Sequence, residues 1–359
     1  MIKFDKEITR IVKGFALILM MLLHCYNKSN YDVALDYSYF PFYGFNYSFK
    51  ICVAIFTFMV GYGYAFSSSK DLTYGLQHIK RLLIPYWSIL FFLAMPFCID
   101  LVIESGPKLF FYNLFGITDT TGRSPVYLRF SWFIYFYIYA MIVMPWVSRF
   151  IDKHPPRNSI IAMGLFLGLG FIVHSIPHML SWVNIEVSPV GRTNLPLAIF
   201  YCLIMTPTVI LGYLFAHQGY YERINMTRVP RWLTFAACSL IIVLIITTLR
   251  PYTLRFNNPF NLDFFYAPVM IGAVAILFNA FRWQLLRTVL SKIGELSMYM
   301  WFFHGLFYTV AVRWFYQPAI TIFHDVNAVV VWTIFITFVA SWLIKCMVDA
   351  LSRRIPFLR

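Results

Sequence analysis

The sequence predicts an all-α, polytopic integral membrane protein: a helix bundle of about ten transmembrane helices with N-terminus and C-terminus both cytoplasmic. Three observations predict it. Of the 359 residues, 60% are hydrophobic, 20% aromatic and only 12% charged, which leaves too little polar surface to clothe a soluble globule. The apolar residues gather in runs of about 15 to 22, the length a helix needs to cross roughly 30 Å of hydrocarbon. The cations concentrate at alternate ends of those runs, as the positive-inside rule requires. Each run is read as a helix because lipid satisfies no unpaired backbone group.

The first run, near 11–27, follows Lys3, Lys6, Arg10 and Lys13. A signal peptide begins in the same way, but no small-x-small cleavage site follows, and His24, Cys25 and Tyr26 continue the segment as an uncleaved span. The remaining spans are expected near 49–67, 82–103, 131–149, 159–175, 196–216, 232–249, 264–281, 295–314 and 327–347. With the N-terminus inside, segments 1–13, 68–81, 150–158, 217–231, 282–294 and the tail after 347 are cytoplasmic. Of the 29 Lys and Arg, 20 fall at or near those inner ends. Asp and Glu divide almost evenly, 7 inside and 8 outside, so almost all of the +14 net charge lies inside. The chain is therefore placed as a multi-pass protein of the inner (cytoplasmic) membrane, with the lipid bilayer its first partner.

The basic residues are scattered over short loops with no basic arm, which argues against nucleic acid as a partner. Six cysteines, at 25, 52, 98, 202, 238 and 346, form no CxxC pair and no zinc-spaced cluster; they read as small buried side chains, and no metal site is expected. No repeat, low-complexity tract or soluble domain interrupts the chain, so 1–359 reads as one membrane domain. The longest outer loops, 28–48 and 104–130, carry Tyr31, Tyr37, Tyr39, Tyr112, Asn113, Arg123 and Tyr127. Such side chains suit a sugar acceptor and equally suit an interfacial aromatic belt.

Ionisable residues inside the spans are few. Lys13 and His24 are eleven residues apart, which leaves them about 20° out of phase and about 16 Å apart along a helix. They share one face, cation at the inner end and imidazole near mid-membrane. Lys13 reads either as a snorkelling anchor or as a fixed cation facing an interior cavity. His24 reads either as an interhelical hydrogen-bonding group or as a proton carrier, since imidazole titrates near neutral pH. His304 lies at comparable depth in the ninth span, and the two rings are expected to meet across one cavity. Ser297 shares a helix face with His304, but about 10 Å of rise excludes a Ser-His nucleophile pair. Lys80 and Arg81 precede Pro85 at the inner start of the third span, and Ser131-Trp132-Phe133-Ile134-Tyr135 opens the fourth. No Gly-rich phosphate loop, HExxH, paired mid-membrane carboxylates or GxSxG elbow is present.

Taken in order, these stretches resemble the bacterial membrane acyltransferase family three. Lys13 through His24 matches its basic residue, ten intervening residues and histidine. Ile55-Phe-Thr-Phe-Met-Val-Gly61-Tyr62 resembles its second-span motif, with Val60 where serine is usual. Lys80-Arg81-Leu-Leu-Ile-Pro85 resembles its basic third-span start, Trp132-Phe133 its fourth, and Ile293-Gly294 through Ser297, Tyr299 and His304 its late motif. Tyr299 falls closer to Ser297 than that motif's common spacing. The fourth span lacks the carboxylate of one sub-group, which places the chain nearer the single-domain branch.

The resemblance implies an O-acetyltransferase that moves an acyl group, acetyl first, from acyl-CoA to a hydroxyl of an envelope or exopolysaccharide glycan. His24 would be the catalytic group, as general base or as transient acyl carrier. Arg10, Lys13, Lys80 and Arg81 would hold donor phosphates, and His304, Trp132, Tyr135 and Ser297 would support the reaction or bind acceptor. Acetyl-CoA would be a co-substrate and no cofactor would be permanently bound. The rival is a transporter or flippase of a lipid-linked saccharide, with both histidines lining its path; the sequence shows none of the repeated halves common in transporters.

Overall fold

The computed structural model describes residues 2–37, 43–67, 69–117, 126–181, 194–226, 228–254, 262–281 and 283–354. In chain order its helices are α1 (Lys6–Cys25), α2 (Ile51–Ala65), α3 (Leu72–Ile89), α4 (Ile99–Leu114), α5 (Phe133–Lys153), α6 (Pro155–Ser181) and α7 (Asn194–Gln218). Then follow α8 (Arg231–Leu244), α9 (Arg250–Leu254), α10 (Asp263–Ala280), α11 (Gln284–Glu295), α12 (Ser297–Tyr308), α13 (Arg313–Tyr316) and α14 (Val326–Arg354). Short π-helical turns, Leu90–Ala94 and Ile245–Leu249, extend α3 and join α8 to α9. Among the described residues there is no strand, only an isolated bridge between Asp36 and Asp325.

Nine helices among the described residues are long and apolar enough to cross a membrane, and the protein is a polytopic helical bundle. Its burial pattern inverts that of a soluble protein. The most apolar of these helices, Arg231–Tyr252 with mean hydropathy 2.4, is only 17% buried, whereas Lys6–Cys25, at 1.7, is 61% buried. Large apolar side chains such as Trp232, Leu240, Leu165, Ile160 and Val331 lie exposed. In water such a surface would be a costly apolar patch; against acyl chains it is the favourable one.

Three expected element boundaries are corrected. The third span begins at Leu72, where the Asp71 carboxylate caps the helix by accepting from the Tyr74 N–H at 2.8 Å; a cap placed there draws 72–81 into the helix. The expected outer loop 104–130 is entered by α4, which bends at Gly106 (φ 73) ahead of Pro107. Finally, the ninth span is no continuous crossing: α11 ends at Glu295, Leu296 leaves helical geometry, and α12 has 12 residues. Asn113 and Tyr127, expected on an open outer surface, are buried. The Asn113 carboxamide accepts from the Tyr127 N–H and donates to the Leu109 carbonyl, both at 3.0 Å, so it is spent on structure. Cys346, read as buried, is exposed, while the other five thiols are buried. Tyr39 and Arg123 lie outside the described residues.

The chain divides into two compact units. The first comprises Met1–Phe66, Leu211–Met300 and Ile320–Ser341; the second comprises Ser67–Ile210, Trp301–Ala319 and Trp342–Arg359. In the first, α1 packs against α2, α10 and α11. In the second, α3 packs against α5, and α5 against α6.

Candidate functional site

In the first unit α1 carries the candidate chemistry. Asp5, in extended backbone, starts the helix by accepting from the Glu7 and Ile8 N–H groups at 2.9 and 3.0 Å. The helix then runs unbroken to Cys25. Lys13 and His24 therefore keep their shared face and their separation of about 16 Å. Arg10 is exposed, and Lys13 and His24 are half-buried.

The cationic end is fixed by a close helix crossing. A Cβ added to Gly14 would lie 2.1 Å from the Leu290 carbonyl oxygen, and one added to Gly294 would lie 1.9 Å from that of Arg10. Only glycine lets the α1 and α11 backbones touch there. Beside the crossing, Arg287 donates to both Glu7 oxygens at 3.0 and 2.8 Å, the forked geometry that makes an arginine-carboxylate pair directional. At the other end, Asn30 Nδ2 donates to the His24 carbonyl at 2.9 Å, satisfying one of the orphan carbonyls of a helix terminus. The Tyr26 hydroxyl donates to Asn327 Oδ1 at 2.8 Å, and Asn327 Nδ2 donates to Asp325. Ser297, half-buried, begins α12.

The second unit holds the other expected residues. Lys80, half-buried, and Arg81, exposed, lie within α3 rather than at its start. One turn earlier is His78, which the sequence reading passed over. Its ring stacks on Tyr74 with centroids 4.0 Å apart, and its Nδ1 is 3.0 Å from the Tyr74 carbonyl. The signal was the i, i+4 step from Tyr74 to His78 on one helix face. Trp132 is half-buried at the start of α5, 6.0 Å from the Tyr201 ring, and Tyr135 is buried.

His304 has no exposed surface. Its imidazole stacks on Phe130 with centroids 5.1 Å apart and ring planes 6° apart. Nearby, burial and the Arg313 guanidinium lower the Arg129 pKa.

Sequence reading also missed a buried ion pair in the first unit. Arg250, 1% exposed, donates through Nε and Nη2 to the two Asp263 oxygens at 2.7 and 2.8 Å, and through Nη1 to the Tyr47 carbonyl. Opposite charges bracketing the short segment between two apolar runs were the available signal. Among the described residues no three His, Cys, Asp or Glu side chains gather as a metal ion requires.

The family model described as an acyltransferase domain matches residues 10–346 of the chain. The match includes Arg10, Lys13, His24 and His304. No curated protein and no solved structure matches it.

Proposed function

Because the chain belongs to acyltransferase family 3, we propose that it moves an acyl group, acetyl first, from cytoplasmic acyl-CoA to a hydroxyl of an envelope or exopolysaccharide glycan, working in the inner membrane. The observation that carries this reading is α1 itself: an unbroken helix with Arg10 and Lys13 at one end and His24 at the other, on a segment the family model covers.

Arg10 and Lys13 hold the phosphates of the donor, since fixed positive charge is what a polyanion requires. His24 takes the proton from the acceptor hydroxyl through a ring nitrogen as that oxygen attacks the thioester carbonyl. The carbon-sulfur bond breaks, and the imidazolium returns the proton to the departing thiolate, so the products are the acyl ester and free CoA. In the covalent variant the ring nitrogen attacks first, CoA leaves as thiol, and the acyl-imidazole passes its acyl group to the acceptor oxygen. Lys80 and Arg81, also expected from the sequence to bind donor, are tested separately through their effect on donor KM.

The test incubates the purified chain in lipid nanodiscs with labelled acyl-CoA and glycan. Label should appear as ester on the glycan, and a chain that inserts normally but transfers none rejects the enzyme. Lys13→Ala should raise donor KM by about tenfold, the worth of one charged hydrogen bond to phosphate; an unchanged KM removes Lys13 from donor binding. Mass spectrometry of glycan from producing and deletion cells separates the transporter alternative, which alters export without adding an ester mass.

A further inference from the structure

The turn of chain before α5 is built onto one face of α12. Residues Trp301, His304, Gly305, Tyr308 and Thr309 recur at the three- and four-residue steps that share a helix face, and each contacts Arg129 or Phe130. The Arg129 N–H donates to Thr309 Oγ1 at 2.7 Å, and Arg129 Nη1 donates to the Tyr308 carbonyl at 3.3 Å. Trp301 Nε1 donates to the Phe130 carbonyl at 3.0 Å. A Cβ added to Gly305 would lie 2.5 Å from the Arg129 carbonyl oxygen, so the turn rests directly on the helix backbone beside His304.

Phe130 itself has φ 68, a left-handed conformation that a bulky L-residue avoids because its Cβ crowds the following carbonyl. Among the described residues it alone, other than glycine, has positive φ. Such strain persists only where surrounding contacts over-determine it, and it collects at working sites. Here its structural product is specific: the left-handed turn sets the Phe130 ring parallel to the His304 imidazole in an offset stack.

We infer that Arg129 and Phe130 form a brace that positions His304 for the acyl transfer. This rests on the acyltransferase reading. The brace fixes the imidazole plane through the stacked ring, and the turn through the contacts to Trp301, Tyr308 and Thr309. Phe130 is a positioning residue: it acts through His304 and handles no reacting atom. Space filling alone would make Phe130→Gly lower the melting temperature through the cavity it leaves, partly offset because glycine adopts this φ without strain, and would leave kcat and the pH-rate profile of the folded chain unchanged. Positioning makes the same change costly to turnover.

The test compares the full chain with Phe130→Gly and Phe130→Tyr in nanodiscs. Phe130→Gly should lower kcat about tenfold, leave donor KM unchanged and move the pH-rate profile, a loss within the range that misplacing a proton-handling group produces. Phe130→Tyr, which keeps the ring, should restore kcat to within about twofold. An independent readout is the His304 ring-proton resonance in histidine-labelled protein, assigned with His304→Gln: the stacked ring should displace it, and Phe130→Gly should abolish the displacement. Unchanged kcat and pH profile in Phe130→Gly overturn the brace. If the parent chain transfers no acyl group, the enzymatic reading falls by itself, and a His304 resonance identical in parent and Phe130→Gly then overturns the brace too.

Discussion

His24 stands near the end of a regular 20-residue helix whose start is set by one capping carboxylate and whose cationic end is set by one glycine crossing. His304 stands on a 12-residue helix and is held against a ring presented by a left-handed residue far away in sequence. The first histidine is placed by periodicity, the second by tertiary contact. A periodic placement tolerates changes around the ring so long as the helix persists; a tertiary placement fails when any strut of the turn is removed. The two rings should therefore respond differently to substitution.

The largest effect belongs to His24. His24→Ala should lower glycan acylation by about 10²–10⁴-fold, the contribution of a positioned proton carrier, with an unchanged apparent melting temperature in detergent. His304→Gln should cost about tenfold and should change the pH profile. A reversed order, with His304→Gln the more damaging in the same labelled-donor assay, would break the comparison and move the chemistry to α12.

Next in size is the framework of the first unit. Removing one member of a buried ion pair strands the other, so Asp263→Asn should destabilise the fold by about 3–5 kcal/mol. The double substitution Arg250→Met with Asp263→Leu, which leaves no buried charge, should recover most of that in thermal melts. Recovery in the double variant together with full acylation would show that the pair is scaffold. Recovered stability with lost acylation would instead give the pair a part in the reaction.

A smaller change sharpens the same point at the α1–α11 crossing. Gly294→Ala drives a Cβ into the Arg10 carbonyl, and such overpacking costs about 1–3 kcal/mol. Since the displaced turn carries Arg10 and sits beside Lys13, donor KM should rise more than kcat falls. A variant with lowered melting temperature and wild-type KM would separate the crossing from donor binding.

How much was legible follows from this contrast. The spans were readable because burial in lipid leaves long uninterrupted apolar runs, and the shared face of Lys13 and His24 was readable because 3.6 residues per turn is fixed. The beginning of α3 was not, because a cap at Asp71 extends the helix through polar residues that hydropathy assigns to a loop. The end of α12 at Tyr308 was hidden because the apolar run continues past it to the expected end of the span. The Phe130–His304 stack was invisible in kind, since no local period relates its residues, and the Arg250–Asp263 pair was signalled only by opposite charges flanking one short segment. Asn113 and Tyr127 misled because composition reports that a side chain is polar, and only the fold shows what it bonds.

The smallest effect lies at the first turn of α1. Burial alone would raise the Asp5 pKa, but donation from the Ile8 and Glu7 N–H groups and the Lys3 ammonium at 2.9 Å outweigh it and hold the carboxyl below its ordinary 3.8. A depressed carboxylate adds stability above its unfolded pKa, and that stability disappears as pH falls through the lower folded value. Asp5→Ala should therefore cost about 1 kcal/mol at neutral pH, the usual worth of an N-cap, and should flatten the acid side of the stability curve. Asp5→Ser keeps an accepting oxygen without the charge, so it should restore most of the neutral-pH stability while staying flat in acid. A Ser variant whose acid limb matches the parent would assign that limb to another carboxylate, and a neutral-pH melting temperature unmoved by Asp5→Ala would show that tertiary packing, and not the cap, anchors the helix.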